Sequence, residues 1–168
     1  MPGRQMDQLQ QNKQDIARQP VPAKLLIILD RVNPMSTESR FFNIAELAKT
    51  LPETAETMLA DLRLTDEPAA SCRIFRVYRP VPAHYHTSCD EYLYVLTGRA
   101  EIAIADAPAR EICPGELVFF KKNTVHALPR IHEHPFTVLS VDTPRRPPED
   151  VHFVNPADGT PESFIKTY

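Results

Sequence analysis

From Thr57 onward the chain alternates apolar and polar residues in short runs, a period of two that marks half-buried β-strands. Met58, Ala60, Leu62 and Leu64 alternate with Thr57, Asp61 and Arg63 up to a turn expected at Thr65-Asp66-Glu67-Pro68. Residues 72–79 (CRIFRVYR) are rich in strand formers and are expected to pair back across that turn as a hairpin. Further strands are expected at 91–96, 100–105, 116–120, 125–128 and 136–141, with Gly98, Asp106-Ala107-Pro108, Pro114-Gly115 and Pro135 as the breaks between them. Residues 151–154 fit one last edge strand. No helix alternates with these strands, so the pattern predicts an all-β sandwich or small barrel rather than a parallel α/β sheet.

Upstream the period changes to that of a helix. Asn43 stands as N-cap with Glu46 three residues on, and Ile44, Leu47, Ala48 and Leu51 share one face. Phe42 is placed to staple onto Leu47, and Pro52 ends the helix. Residues 24–32 (KLLIILDRV) are a short apolar run that fits a buried strand or a helical turn equally well. The Gln-rich stretch before it has no apolar face and reads as a flexible arm. The expected organisation is a polar arm over 1–23, an N-terminal helical extension over 24–56, a barrel over 57–142, and a Pro-rich C-terminal segment with an edge strand over 143–168.

Composition narrows the function classes. In 168 residues, 42% hydrophobic and 24% charged is the balance of a soluble globular domain. A net charge of −3 gives no reason to expect nucleic acid or an acidic membrane as partner. The longest apolar run, 25–29, is far shorter than the ~20 residues of a spanning helix, and neither a membrane span nor a secretory leader is expected. Only 4 Gly stand against 17 Pro, so turns must rely on Pro, Asn and Asp. Cys72, Cys89 and Cys113 form no CxxC and read as reduced thiols, which suits a cytoplasmic protein.

The histidines carry the chemistry. His84-Tyr85-His86 places two imidazoles on one side of an extended strand, about 6.5–7 Å apart at the backbone, close enough to converge on one cation. Glu91 follows after enough chain to turn and present a carboxylate from the next strand. His126 opens another strand. Three imidazoles and one carboxylate would leave one or two positions open on an octahedral ion, as catalysis or ligand binding requires. Asp90 competes with Glu91, but neighbours on a strand face opposite sides; with Glu91 inward, Asp90 is expected outside.

The spacing His84-x-His86-x4-Glu91-x6-Gly98 resembles the first signature of the cupin superfamily, and Gly115 with His126 resembles the second. Lys121 stands where the family usually has proline and Asn123 where it has glycine; Asn is the non-Gly residue that best tolerates a left-handed turn. The resemblance spans roughly residues 70–141. It implies a single-domain, RmlC-like cupin: an all-β double-stranded β-helix, or jelly-roll barrel, here with an N-terminal helical extension. It also implies His84, His86, Glu91 and His126 as ligands of one divalent transition-metal ion, with Fe, Mn, Zn, Ni and Co all compatible.

Around that core of the site other positions are read more plainly. His132-Glu133-His134 lies between prolines and is expected to be a solvated hairpin loop, His152 an edge-strand residue, and Cys89 a packed thiol. On 72–79 either Arg73, Phe75, Val77 and Arg79 or Cys72, Ile74, Arg76 and Tyr78 face the interior, and Pro80 and Pro82 prevent carrying parity back from His84. In the second case Arg76 and Tyr78 would be substrate contacts, an inward Arg being a natural clamp for a carboxylate or phosphate. With Glu91 inward, Leu93 and Val95 point in and Tyr92 and Tyr94 point out.

These readings lead to a metal-dependent enzyme acting on a small oxygen-rich substrate (enolate, hydroxy-acid or sugar-derived) by Lewis-acid or O2 chemistry, the alternative being a non-catalytic small-molecule or metal-sensing protein. Uncovered sheet edges and an apolar outer face predict a homodimer.

Overall fold

In a computed structural model, residues 39–168 are described; the polar arm and the apolar 24–32 run lie outside the described residues. The Asn43 side chain accepts the Glu46 amide as an N-cap should, and the helix α1 (Ile44–Ala48) follows. It stops at Ala48, short of the apolar spacing, where Pro52 supplies no N–H for the Ala48 carbonyl; Arg76 donates to the carbonyls of Ala48, Leu51 and Pro52.

Nine strands follow among the described residues: β1 (Leu59–Glu67), β2 (Ala70–Val77), β3 (Val81–Tyr85), β4 (Asp90–Ile104), β5 (Arg110–Ile112), β6 (Leu117–Phe120), β7 (His126–Thr143), β8 (His152–Phe153) and β9 (Ile165–Thr167). A single turn of helix, α2 (Pro161–Phe164), precedes β9. The strands form one hydrogen-bonded sheet ordered β5-β4-β7-β2-β1-β9, with β6 added to β4, β3 to β7 and β8 to β3. All its pairings are antiparallel except β1 with β9.

Two long strands tie the sheet together where four shorter ones were expected. Gly98 does not end β4 but lets it bend: its φ is +77°, and a Cβ there would lie 2.5–2.8 Å from the Glu133 and Pro135 carbonyls and the Phe136 Cα. Register shifts from Val95 to Ala103 mark the bulged stretch, and pairing with β7 resumes on the far side. The expected loop at 132–134 is likewise continuous strand. A cross-strand ion pair and a hydrogen bond hold it there, Arg99 Nε to Glu133 at 3.0 Å and His132 Nε2 to Glu101 at 3.0 Å.

The first hairpin is also displaced, since β1 continues through Glu67 and the turn falls at Pro68-Ala69. The interior face of β1 carries Leu59 and Asp61, while Ala60 and Leu62 lie on its outer face; both faces are buried. Across the ladder Leu59 meets Val77, Asp61 meets Phe75 and Leu62 meets Ile74, so the inward set of β2 is Arg73, Phe75 and Val77. The barrel core joins these to Leu93 and Val95 of β4, Phe120 of β6, and Phe136 and Val138 of β7.

Candidate metal centre

Pairing of β3 with β7 sets His84 directly across from His126, with ring centroids 4.3 Å apart. His86 stands just past the end of β3, its ring 5.3 Å from that of His84 and 5.4 Å from that of His126. One nitrogen from each of the three lies within 4.8 Å of the others, a group able to hold a metal ion. Glu91, the second residue of β4, places Oε2 3.5 Å from His86 Nε2 and 3.6 Å from His126 Nε2. All four residues are at most 6% exposed.

The orientation of each ring is set by main-chain oxygen. His84 Nδ1 meets the Pro82 carbonyl at 2.9 Å, His86 Nδ1 the Asp150 carbonyl at 2.5 Å, and His126 Nδ1 the Thr124 carbonyl at 2.9 Å. A carbonyl only accepts, so each Nδ1 carries a proton, and Nε2 is the nitrogen that faces the centre and can give up its proton to a metal. Burial pushes His84 well below the ordinary imidazole value, and the neighbouring His126 and His86 push it further. Burial lowers His86 too, against the pull of Glu91. Burial alone would raise Glu91, yet hydrogen bonding with His126 and His86 and the charges of His86 and Arg73 hold it well below the usual carboxylate range. Three Nε2 atoms and one carboxylate oxygen thus converge in a buried interior, a donor set that suits a first-row divalent cation once the nitrogens are deprotonated.

Glu91 is held from behind. Its Oε1 accepts from Arg73 Nη2 at 3.3 Å and from Ser140 Oγ at 3.2 Å, which leaves Oε2 turned to the imidazoles. Arg73 also pairs with Asp142 at 3.0 Å and approaches Asp61 at 3.8 Å, and Arg146 lies 3.5 Å from Asp142. Cys89 Sγ sits 3.9 Å from Asp142, and burial pushes its thiol up to about 12, so it is a packed, protonated group.

Two loops are locked to the site. The Asp150 carboxylate accepts from the amides and hydroxyls of both Thr87 and Ser88, fixing the turn after His86. Burial opposes its ionisation, but those hydrogen bonds outweigh it and the carboxyl titrates far below its ordinary value. In the turn before His126, Asn123 adopts φ +65° and its amide donates to the His86 carbonyl at 2.7 Å. That is the left-handed geometry its residue type suggested. Asp90 is half-buried rather than exposed, because its carboxylate accepts the Lys122 amide and anchors this turn.

Arg76 and Tyr78 do not reach the centre. They lie on the outer face of β2, where Arg76 binds the carbonyls after α1 and the Tyr78 hydroxyl donates to Pro52 O at 2.6 Å; the interior parity belongs to Arg73. His132 is paired with Glu101, and His152 stacks on Tyr85 and meets Asp150, so neither joins the cluster. Ser140 and Asp142 escaped the sequence reading although they continue the inward spacing of Phe136 and Val138. Arg146 and Asp150 sit in a Pro-rich stretch with no period to read.

Residues 77–142 match the family model described as a cupin domain. The barrel has the cupin fold. Solved cupin-like structures agree on the fold. An uncharacterized protein with a double-stranded β-helix domain from Klebsiella pneumoniae is 20% identical over 64% of this chain and 92% of its own, with a TM-score of 0.53. A protein from Thermus thermophilus is 18% identical over 62% of this chain and 99% of its own, also at 0.53. A cupin-2 domain containing protein from Shewanella frigidimarina is 16% identical over 61% and 93%, at 0.50. No curated protein matches the chain. Among the described residues, no helix is long and apolar enough to cross a membrane.

Proposed function

We propose that this cupin is a metal-dependent enzyme in which His84, His86, Glu91 and His126 hold one divalent transition-metal ion (Fe, Mn, Zn, Ni or Co). The observation that carries the reading is the set of three Nδ1–H···O=C bonds, which turn three Nε2 atoms toward one another beside Glu91. The bound ion would supply Lewis-acid polarisation or O2 activation to a small molecule that meets it through oxygen. Within the protein, the barrel wall excludes water, the main-chain carbonyls orient the rings, and Arg73 with Ser140 keeps Glu91 charged and turned inward. Elemental analysis of protein purified without added metal tests this. Near-stoichiometric metal in the native chain and its loss in His86→Ala are expected; metal retained at full level in the variant refutes the ligand set.

A second reading, a non-catalytic small-molecule or metal sensor, draws on one observation. Among the described residues, the polar wall of the adjoining cavity consists of His84, Glu91 and His126 alone, with no further acid or base. Depletion of a small molecule from cell extract by the metal-loaded protein favours the enzyme; binding without turnover, in air and without it, favours the sensor. Three free thiols suit a reducing, cytoplasmic setting. A homodimer is proposed from the outer face of β4 and β6, where Tyr92 pairs with Phe119 and Tyr94 with Leu117, all four 36–59% exposed.

A further inference from the structure

The cavity beside the centre is bounded almost wholly by hydrocarbon. Phe75 and Val77 of β2, Leu93 of β4, Phe120 of β6, Phe136 of β7 and Phe164 of α2 form its principal walls, and His84, Glu91 and His126 are its only polar lining among the described residues. None of these three has a group to spare for a ligand's periphery. The Nδ1 atoms are taken by carbonyls, the Nε2 atoms and Glu91 Oε2 face the metal position, and Glu91 Oε1 is taken by Arg73 and Ser140. Of the buried cations behind the site, Arg73 turns to Asp61, Asp142 and Glu91, while Arg146 reaches Asp142 through its Nε at 3.5 Å; neither lines the cavity.

We infer that the ligand of this centre is a compound with one oxygen-bearing end and a short hydrocarbon remainder, the end meeting the metal and the remainder filling the apolar cavity. This rests on the metal reading above and narrows it: among oxygen-rich compounds it selects enolates or hydroxy-acids with apolar tails and rejects polyols, sugar derivatives and dicarboxylates. The cavity measures about 40 Å³. At about 10–15 Å³ for each water-sized group, the tail is limited to about three heavy atoms. A hydroxyl on that tail would leave water and find no partner, and a second carboxylate would find no counter-charge. Phe164, whose ring centroid lies 5.0 Å from that of His84, closes one wall and sets the length limit.

The test uses the full chain loaded with Co(II), whose visible absorption reports both metal binding and displacement of its open positions. Glycolate, lactate, 2-hydroxybutyrate and 2-hydroxyvalerate present one head with tails of increasing length, while glycerate and malate carry polar tails. Affinity is expected to rise about fourfold per added carbon through 2-hydroxyvalerate and to level off for longer acids. Glycerate should bind at least about tenfold more weakly than 2-hydroxybutyrate. Phe164→Ala should move the optimum to a longer tail; the native series decides the matter if that variant does not fold. A flat series, no band shift with any of these acids, or malate and glycerate binding as well as their apolar counterparts overturns the inference while leaving the metal centre intact. Failure of Co(II) to bind overturns both readings, and the absent absorption bands distinguish that result from the others.

Discussion

Arg73 joins Glu91 to Asp142 and approaches Asp61, so removing this one side chain takes the guanidinium from Glu91 and Asp61 and leaves Asp142 with Arg146 alone. Arg73→Met is expected to cost about 3–5 kcal/mol of stability in urea unfolding. It should also weaken metal binding about 10–100-fold in a chelator competition, because Glu91 loses the contact that turns Oε2 inward. Arg73→Lys should recover part of the stability and little of the affinity, since one ammonium does not reproduce a planar fork held between two carboxylates. The pairing of His84 with His86 was legible in the sequence because strand alternation is a local rule; Glu91 and His126 were added by the resemblance to the cupin signatures, since His126 meets His84 only across the ladder of β3 with β7. The role of Arg73 was not, because the parity of 72–79 is set by its ladder with β7, in which Arg73 lies opposite Ser140, and nothing local to the segment encodes it.

Among the strands and helices, the barrel's shape depends on strands that bend without ending. Gly98→Ala should destabilise the fold by at least about 2 kcal/mol, from positive φ and from close approach to main-chain atoms of β7 that are not free to move aside. Thermal and urea unfolding would check this, and a change within error would refute the close contact. Sequence reading split β4 at Gly98 and β7 near Pro135 because both residues usually end strands. Whether a given glycine ends a strand or bulges it is decided by the neighbouring strand. The carbonyls at the end of α1 and after it are likewise satisfied from another element, by Arg76 of β2. The Asp150 clamp gives a pH signature. Its folded pKa is depressed below the ordinary 3.8, so its contribution is complete above that value and is lost as pH falls below it. Urea midpoints of the native chain should therefore fall more steeply from about pH 4 downward than those of Asp150→Asn, which should be less stable near neutral pH and flatter; equal slopes would contradict the clamp.

Association of chains is predicted by the aromatic face of β4 and β6, which is exposed among the described residues. Light scattering should return roughly twice the 19.1 kDa of one chain, and Tyr94→Lys with Leu117→Lys should return the monomer without loss of fold by circular dichroism. A native monomer would set the dimer aside. The order of the parts along the chain also matters for how the centre is assembled. Every candidate donor lies at or before His126, but the carbonyl that orients His86 belongs to Asp150 and the ring that walls the cavity beside His84 belongs to Phe164. On the ribosome, which works from residue 1 toward 168, the imidazoles therefore emerge before the parts that aim and enclose them. Until the segment from Asp150 onward arrives, the His86 ring lacks the carbonyl that orients it and His84 lacks the aromatic ring that walls it.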